Sequence, residues 1–350
     1  MSASKRNRTI FASGIVISIV CLWLALRGTD FRQIGQMLAQ AQLWLGLPLL
    51  LSYILFYWIK AVRWRLMLQP IHQTSAKELF IPMMMGFFAN NILPAHLGEF
   101  VRMYLGAKML KLSNAQVLAT IILERIFDFL AVVLFLGVAL ILGGRVSEQL
   151  ANAGYVVAFI GLALLLMTAI FAVYTQVFLR LIHNATFFLP QKLRHKILHH
   201  LEIGALGFDS LKRADLLAGI VVTSLLQWLL IGVGIYCGMM SVGIEAPISA
   251  SFVVLAATVF AVTLPAAPGF FGTMQLAFTL SLQPYAIGES QAFAASVVYH
   301  SITYLFVTLL GLYLMRHLGY RLGELRQQVE SAEEEVEVLE TEHPPGTRSE

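Results

Sequence analysis

Apolar residues along this chain gather into long runs separated by short polar segments. Six runs, at roughly 10–26, 43–59, 114–142, 154–179, 214–242 and 292–315, are each near or above the ~17 residues that cross about 30 Å of hydrocarbon. Two further apolar stretches, 79–112 and 249–284, are interrupted internally. The first breaks at Leu93-Pro94-Ala95-His96-Leu97-Gly98, the second at Leu264-Pro265-Ala266-Ala267-Pro268-Gly269. The two breaks share four of six letters at an offset of 171 residues. Proline and glycine stop a helix, and irregular backbone at membrane depth must face protein or water rather than lipid. Moving 43–59 and 114–142 along by 171 gives 214–230 and 285–313, and both land on apolar runs. The predicted fold is therefore an all-α polytopic membrane protein with six full spans plus two re-entrant helical hairpins. Its two units, about 10–142 and 154–315, each read span, span, hairpin, span. A unit that crosses an odd number of times inverts its successor, which predicts inverted repeats of the kind transporters use.

Composition agrees. The chain is 58% hydrophobic and 13% charged, about half the charge of a soluble domain, and its mean hydropathy is +0.75. The basic start, MSASKRNR, precedes an apolar run of 17 residues with no small-x-small cleavage site, so it reads as a first transmembrane helix rather than a signal peptide. Lysine and arginine concentrate at the N-terminus, in 60–78, at 108 and 111, in 180–213 and in the tail. These hold nineteen, against three in 27–42, 143–153 and 243–248. The positive-inside rule then places both termini in the cytoplasm of a bacterial-type inner membrane. The first hairpin enters from the cytoplasm and the second from outside. The net charge of +4 is thus a topology signal, and no nucleic-acid partner is expected. Cys21 and Cys237 each sit in an apolar run and read as small fillers. No metal or other cofactor is expected.

Two accessory segments lie outside the spans. In 190–212, Leu193, Ile197 and Leu201 share a face among basic residues, which suits a helix on an anionic leaflet. His195, His199 and His200 read there as interfacial residues, with a metal cluster as the alternative. Domain boundaries are set at 1–316 for the membrane domain and 317–350 for an acidic helical tail, disordered from 343. In the tail, Leu318, Leu322, Leu325, Val329, Ala332, Val336 and Leu339 make a three-heptad seam. A single solvated helix and a coiled coil, which would make a homo-oligomer, both fit it.

The charges left inside apolar segments are the candidate chemistry. Pro94 and Gly98 end one half-helix and open the next, whose N-terminus offers backbone N–H groups and a positive dipole end at membrane depth. Asn91 flanks this tip, and Glu99 and Arg102 follow it. The second tip, through Pro268, Gly269 and Gly272, leads into the uncharged Thr273 and Gln275. Ser113 and Gln116 make a capping box for the third span, which puts Glu124 about 16 Å in at 1.5 Å per residue. Glu124 and Asp128 share a face, with Arg125 beside it. Unpaired central charges cost roughly 2.5–3.5 kcal/mol each, so these three require partners, and Glu99 and Arg102 are the obvious ones. The five sum to −1. Half-helix dipoles, a protonated carboxyl or a substrate amine would each reconcile that sum with a polar ligand. A structural ion-pair lock and a substrate or proton site both fit the cluster. His300, about eight residues into the last run, reads equally as a packing hydrogen bonder or a proton group.

These residues resemble a family. Asn91-x-x-Pro94-x-x-x-Gly98-Glu99-x-x-Arg102, then Glu124-Arg125-x-x-Asp128, then Pro265-x-x-Pro268-Gly269-x-x-Gly272 resemble the transmembrane domain of lysylphosphatidylglycerol synthase, over about residues 10–316. The resemblance implies a flippase-like protein that moves a membrane lipid between leaflets. Aminoacylated phospholipids, hopanoids and glycolipids are the lipids associated with such relatives. His96, Gln275 and His300 depart from the family pattern, where basic, acidic and arginine residues are common. No aminoacyl-transferase domain follows, so the expectation is a stand-alone member that is not an enzyme. A membrane scaffold or regulator, and an intramembrane lipid-phosphate enzyme, are the alternatives. No nucleophile elbow or His-Glu-x-x-His motif is present for the latter.

Overall fold

A computed structural model describes residues 3–93, 97–143, 206–264 and 266–319, with isolated positions between 145 and 174 and at 323; side chains are described from residue 12. Among the described residues every regular element is helical. They are α1 (Ala3–Leu26), α2 (Phe31–Ala39), α3 (Gly46–Leu68), α4 (Ala76–Ile92), α5 (Gly98–Leu110), α6 (Asn114–Ile141), α7 (Ala214–Ser241), α8 (Ile248–Thr263), α9 (Thr273–Leu282) and α10 (Glu289–His317).

Helix ends follow local chemistry. Ser75 caps α4 and Ser113 caps α6, each in a reciprocal capping box, with Glu78 and Gln116 at the third position. α4 ends where Leu93 turns extended, as expected before Pro94. Three long helices, Leu43–Leu68, Ala214–Ser241 and Glu289–His317, are apolar enough to cross a membrane. A fourth span arises if α1 and α2, bent by 85° about residues 27–30, are taken together. α6 is as long as α7 but carries Glu124, Arg125 and Asp128.

Three expectations need correction or fall outside. The run at 43–59 does not end there: α3 continues to Leu68, because no breaker lies between Pro48, in its first turn, and Pro70. The loop expected at 27–42 contains α2, capped by Asp30, whose carboxylate accepts from Arg32 N at 2.8 Å. The span at 154–179, the interfacial helix at 190–212 (except its last turns) and the tail heptads lie outside the described residues.

The 171-residue offset also relates helix bounds. Shifted α3 covers 217–239, within α7; shifted α4 covers 247–263, one residue from α8; shifted α6 covers 285–312, against α10. α3 and α7, the two related helices, form the most extensive helix pair. Small residues allow this: a Cβ on Gly234 would stand 2.6 Å from Ser52 Oγ, and one on Gly238 3.5 Å from Leu49 Cδ1.

Candidate functional site

Three helices deliver charge to one place. On α3, Lys60 and Arg63 lie three residues apart and project from one face. On α5, Glu99 and Arg102 are similarly spaced. On α6, Glu124, Arg125 and Asp128 occupy just over one turn. α4 and α5 fold back on each other at the first break because glycine meets glycine there. A Cβ on Gly86 would stand 2.7 Å from the Gly98 carbonyl oxygen and 2.9 Å from Arg102 Cβ, and a Cβ on Gly98 would strike the Gly86 oxygen and the Asn90 amide. This close approach brings Arg102 to α6.

Glu124 is fully buried and is held by two close cations, with Arg63 Nη2 a third at 3.7 Å from its Oε1. Arg102 Nη1 and Nη2 donate to its Oε1 and Oε2 at 2.8 and 2.7 Å, a bidentate fork. Lys60 Nζ lies 2.8 Å from the same Oε1. The Arg102 guanidinium also lies over the Trp64 ring, 3.9 Å from its centroid, and Trp64 Nε1 is fixed by donating to Thr120 Oγ1 at 3.0 Å. Asp128 is more heavily solvated by protein. Its Oδ1 accepts from Gln227 Nε2 at 2.7 Å and Trp228 Nε1 at 2.9 Å, and lies 2.8 Å from Arg63 Nη2. Its Oδ2 accepts from Lys60 Nζ at 3.0 Å and lies 3.8 Å from Arg125 Nη1. Arg63 Nη1 donates in turn to Ser224 Oγ at 2.9 Å. Glu99 pairs with Arg125, and this pair alone among the cluster's ion pairs is partly open on both sides, its side chains 29% and 38% exposed.

The pairing expected between Glu99, Arg102 and the charges of α6 is therefore what the geometry contains. Two members of the cluster were missed. The sequence pattern puts Lys60 and Arg63 in a cytoplasmic loop; in the fold they are 1% and 0% exposed inside α3. They change the sum. Lys60, Arg63, Arg102 and Arg125 against Glu99, Glu124 and Asp128 leave +1 rather than −1. They also leave the positive-inside count at seventeen against three.

The two breaks are built differently. At the first, the Gly98 N–H is not free, as expected from sequence, but donates to Asn90 Oδ1 at 2.8 Å. Asn91 Nδ2 reaches across to α10, donating to Thr308 Oγ1 at 3.1 Å. Pro94 lies outside the described residues. At the second, Pro268–Phe270 forms a short 3-10 turn, and Gly269 and Gly272 take φ of 76° and 89°, which only glycine adopts at little cost. Gln275 then joins this break to the last helix: its Oε1 accepts from Gly272 N at 2.7 Å and its Nε2 lies 3.1 Å from His300 Nδ1. The His300 ring packs on Phe271, 4.8 Å between centroids. Helix α1 backs this break. Ala267 N donates to Ser18 Oγ at 2.8 Å, and a Cβ on Gly14 would stand 2.9 Å from the Ala266 oxygen.

A cavity of about 390 Å³ joins both breaks. Asn90, Asn91 and Glu99 line it from the first break, Phe270 and Met274 from the second, and His300 from α10. Lys60, Arg125 and Asp128 form its charged floor. Aromatic residues, including Tyr53, Tyr57, Trp228 and Tyr304, form much of its wall. Arg63, Arg102 and Glu124 lie behind the floor. A group entering this space meets cations and ring faces together, an arrangement suited to a small polar group attached to an apolar body.

Comparison with known proteins gives two matches. Residues 11–311 match the family model described as the lysylphosphatidylglycerol synthase TM region. The UPF0104 membrane protein MJ1078 of Methanocaldococcus jannaschii is similar over 224 residues at 25% identity, covering 64% of this chain and 91% of the relative. No solved structure matches.

Proposed function

Since the chain belongs to the lysylphosphatidylglycerol synthase TM-region family and is a multi-pass membrane protein, we propose that it translocates a lipid between leaflets, with the headgroup in the cavity between the two breaks. The observation that carries this reading is the shared cavity: both broken segments line it, and its floor is a buried charge cluster. Pockets of this kind, between discontinuous helices near mid-membrane, are where transporters hold substrates. The matched helix bounds at the 171-residue offset support a two-unit, inverted arrangement with six spans and two re-entrant hairpins. The surplus of lysine and arginine in the N-terminus, 180–213 and the tail supports cytoplasmic termini in an inner membrane. Asn91, Glu99, Arg125, Asp128, Gln275 and His300 are the groups proposed to contact or position the headgroup. Arg102 and Glu124 hold the hairpin to α6 beneath it. Asp128 is a poor proton carrier, since its two oxygens face five donors and a carboxyl proton would have no acceptor.

The test is transbilayer movement of a fluorescent phospholipid in proteoliposomes. Crossing that depends on the protein, with the lipid chemically unchanged, supports translocation. A modified lipid would replace it with enzymatic action. No crossing would favour a second reading, a scaffold locked by ion pairs, which the full pairing of Glu124 supports.

A further inference from the structure

The sign of the cluster specifies a headgroup. An ammonium carries three N–H donors. Among the described residues, Lys60 Nζ has two ionic partners, Glu124 and Asp128, and it lines the cavity. The third donor has no ionic partner among the described residues; the ammonium stands only near the cavity-lining rings of Phe56 and Phe87, 5.7 and 5.8 Å from their centroids, which a ligand oxygen can displace. Arg125 lines the same floor, and its Nη1 and Lys60 Nζ lie 3.8 and 3.0 Å from the same oxygen, Asp128 Oδ2. Two cations gathered around one oxygen can engage two oxygens of one tetrahedral anion. Behind them, Arg63 and Arg102 are buried and add positive charge that Glu124 offsets only once. A headgroup amine is served badly. The Asp128 oxygens are occupied by five donors, Glu124 is sealed beneath Arg102 and Lys60, and Glu99 already pairs with Arg125. Over a floor whose remaining charges are buried, an ion that neutralises +1 is favoured over one that raises it.

Resting on the translocation reading above, we propose that the cavity takes a lipid whose headgroup carries one net negative charge, a phosphodiester without a compensating amine, with the phosphate oxygens between Lys60 and Arg125. The aromatic wall then receives the uncharged remainder of the headgroup.

The full chain, purified in detergent at fixed salt, is offered lipids of identical acyl chains and different charge: phosphatidylglycerol (anionic), phosphatidylethanolamine (zwitterionic) and lysylphosphatidylglycerol (cationic). Retained lipid is read by native mass spectrometry, with water-soluble glycerophosphoglycerol as a headgroup-only competitor. The expected result is retention of the anionic lipid over both others by about tenfold or more, little displacement by the soluble diester, and collapse of the preference in Lys60→Gln. The wild-type selectivity decides the matter even where Lys60→Gln fails to fold. Equal or stronger retention of the zwitterionic or lysylated lipid would overturn the proposal. Displacement by the soluble diester at the same concentration as the lipid would overturn its lipid component. The same lipid series in proteoliposomes separates the two levels: crossing without charge preference sinks only this inference, whereas failure of every lipid to cross sinks translocation.

Discussion

Replacing Glu124 with glutamine keeps the shape of the buried fork and removes its charge. Arg102 then loses a bidentate carboxylate, Lys60 loses one of its two counter-ions, and the cluster rises from +1 to +2. Glu124 is fully buried and Arg102 is 2% exposed, so water cannot compensate. Removing one partner of a buried pair costs about 3–5 kcal/mol, most of it the uncompensated ion left behind. At about 2 °C per kcal/mol, the lower figure for large domains, the melting temperature should fall by roughly 6–10 °C. Thermal unfolding in detergent, followed by loss of the monodisperse chromatographic peak, measures this. The companion is the double variant Arg102→Met with Glu124→Met, which deletes both charges. Buried pairs are often replaceable by apolar residues at little cost, so the double variant should recover at least half of the loss, as a double-mutant cycle would register. A Glu124→Gln protein within ~1 kcal/mol of wild type would refute the reasoning, because the fork would then be neither dry nor strongly coupled. A double variant as unstable as the sum of its singles would refute the pairing.

Other outcomes follow from the breaks and the caps. Gly98→Ala drives a methyl into the Gly86 carbonyl oxygen and should cost about 1–3 kcal/mol, whereas Gly137→Ala in α6, with nothing within 4 Å, should be neutral or stabilise by up to ~1 kcal/mol; melting temperatures of the pair decide. Asn90→Ala removes the acceptor of the Gly98 N–H and should cost about 1 kcal/mol by the same assay. Gln275→Leu strips partners from both Gly272 N and His300 Nδ1, for about 1–3 kcal/mol if the site stays dry. The Ser75 backbone N–H, with the Thr74 and Ser75 hydroxyls, holds the exposed Glu78 carboxyl below its usual range at the start of α4. A depressed carboxyl stabilises the fold above its unfolded pKa of ~4.3 and loses that effect as pH falls through the folded value. Glu78→Gln should therefore flatten the acid limb of a melting-temperature profile by lowering the neutral plateau slightly, while leaving the acid end where it is.

Helices and breaks were legible in the sequence because membrane solvation leaves few choices: long apolar runs must be helices, and the Leu-Pro-Ala-x-x-Gly pattern repeated at the 171-residue offset marked the breaks, whereas Pro82 and Gly86 stay inside α4. The bounds of α6 were legible from Ser113 and Gln116, which cap it as a box. The buried charges of α5 and α6 stood out because they interrupt apolar text. Lys60 and Arg63 did not, because they follow an apolar run, where basic residues ordinarily mark the cytoplasmic edge. The signal that would have found them is the lack of any breaker between Pro48, in the first turn, and Pro70, which lets the helix run on with Lys60, Arg63, Trp64 and Met67 buried. Gln227 and Trp228 were not legible at all. Their role depends on α7 meeting Asp128 of α6 across about 100 residues of chain, and neither type is out of place in an apolar helix.

The seat of the second break on α1 decides which parts can move. Ser18 grips the Ala267 N–H, Gly14 lies against the Ala266 oxygen, and a side chain on Gly272 would collide with the Ser18 backbone. Two of these are close backbone approaches and the third is a side-chain hydrogen bond, which together leave little slack for sliding. A rearrangement that opened the cavity first to one face and then to the other would carry α1 and the second break as one rigid body. The stroke would fall to the first hairpin, which the buried Arg102–Glu124 fork ties to α6 and which the partly open Glu99–Arg125 pair latches to it on the cavity floor. An anion that competes with Glu99 for Arg125 would then act on the latch of the moving part.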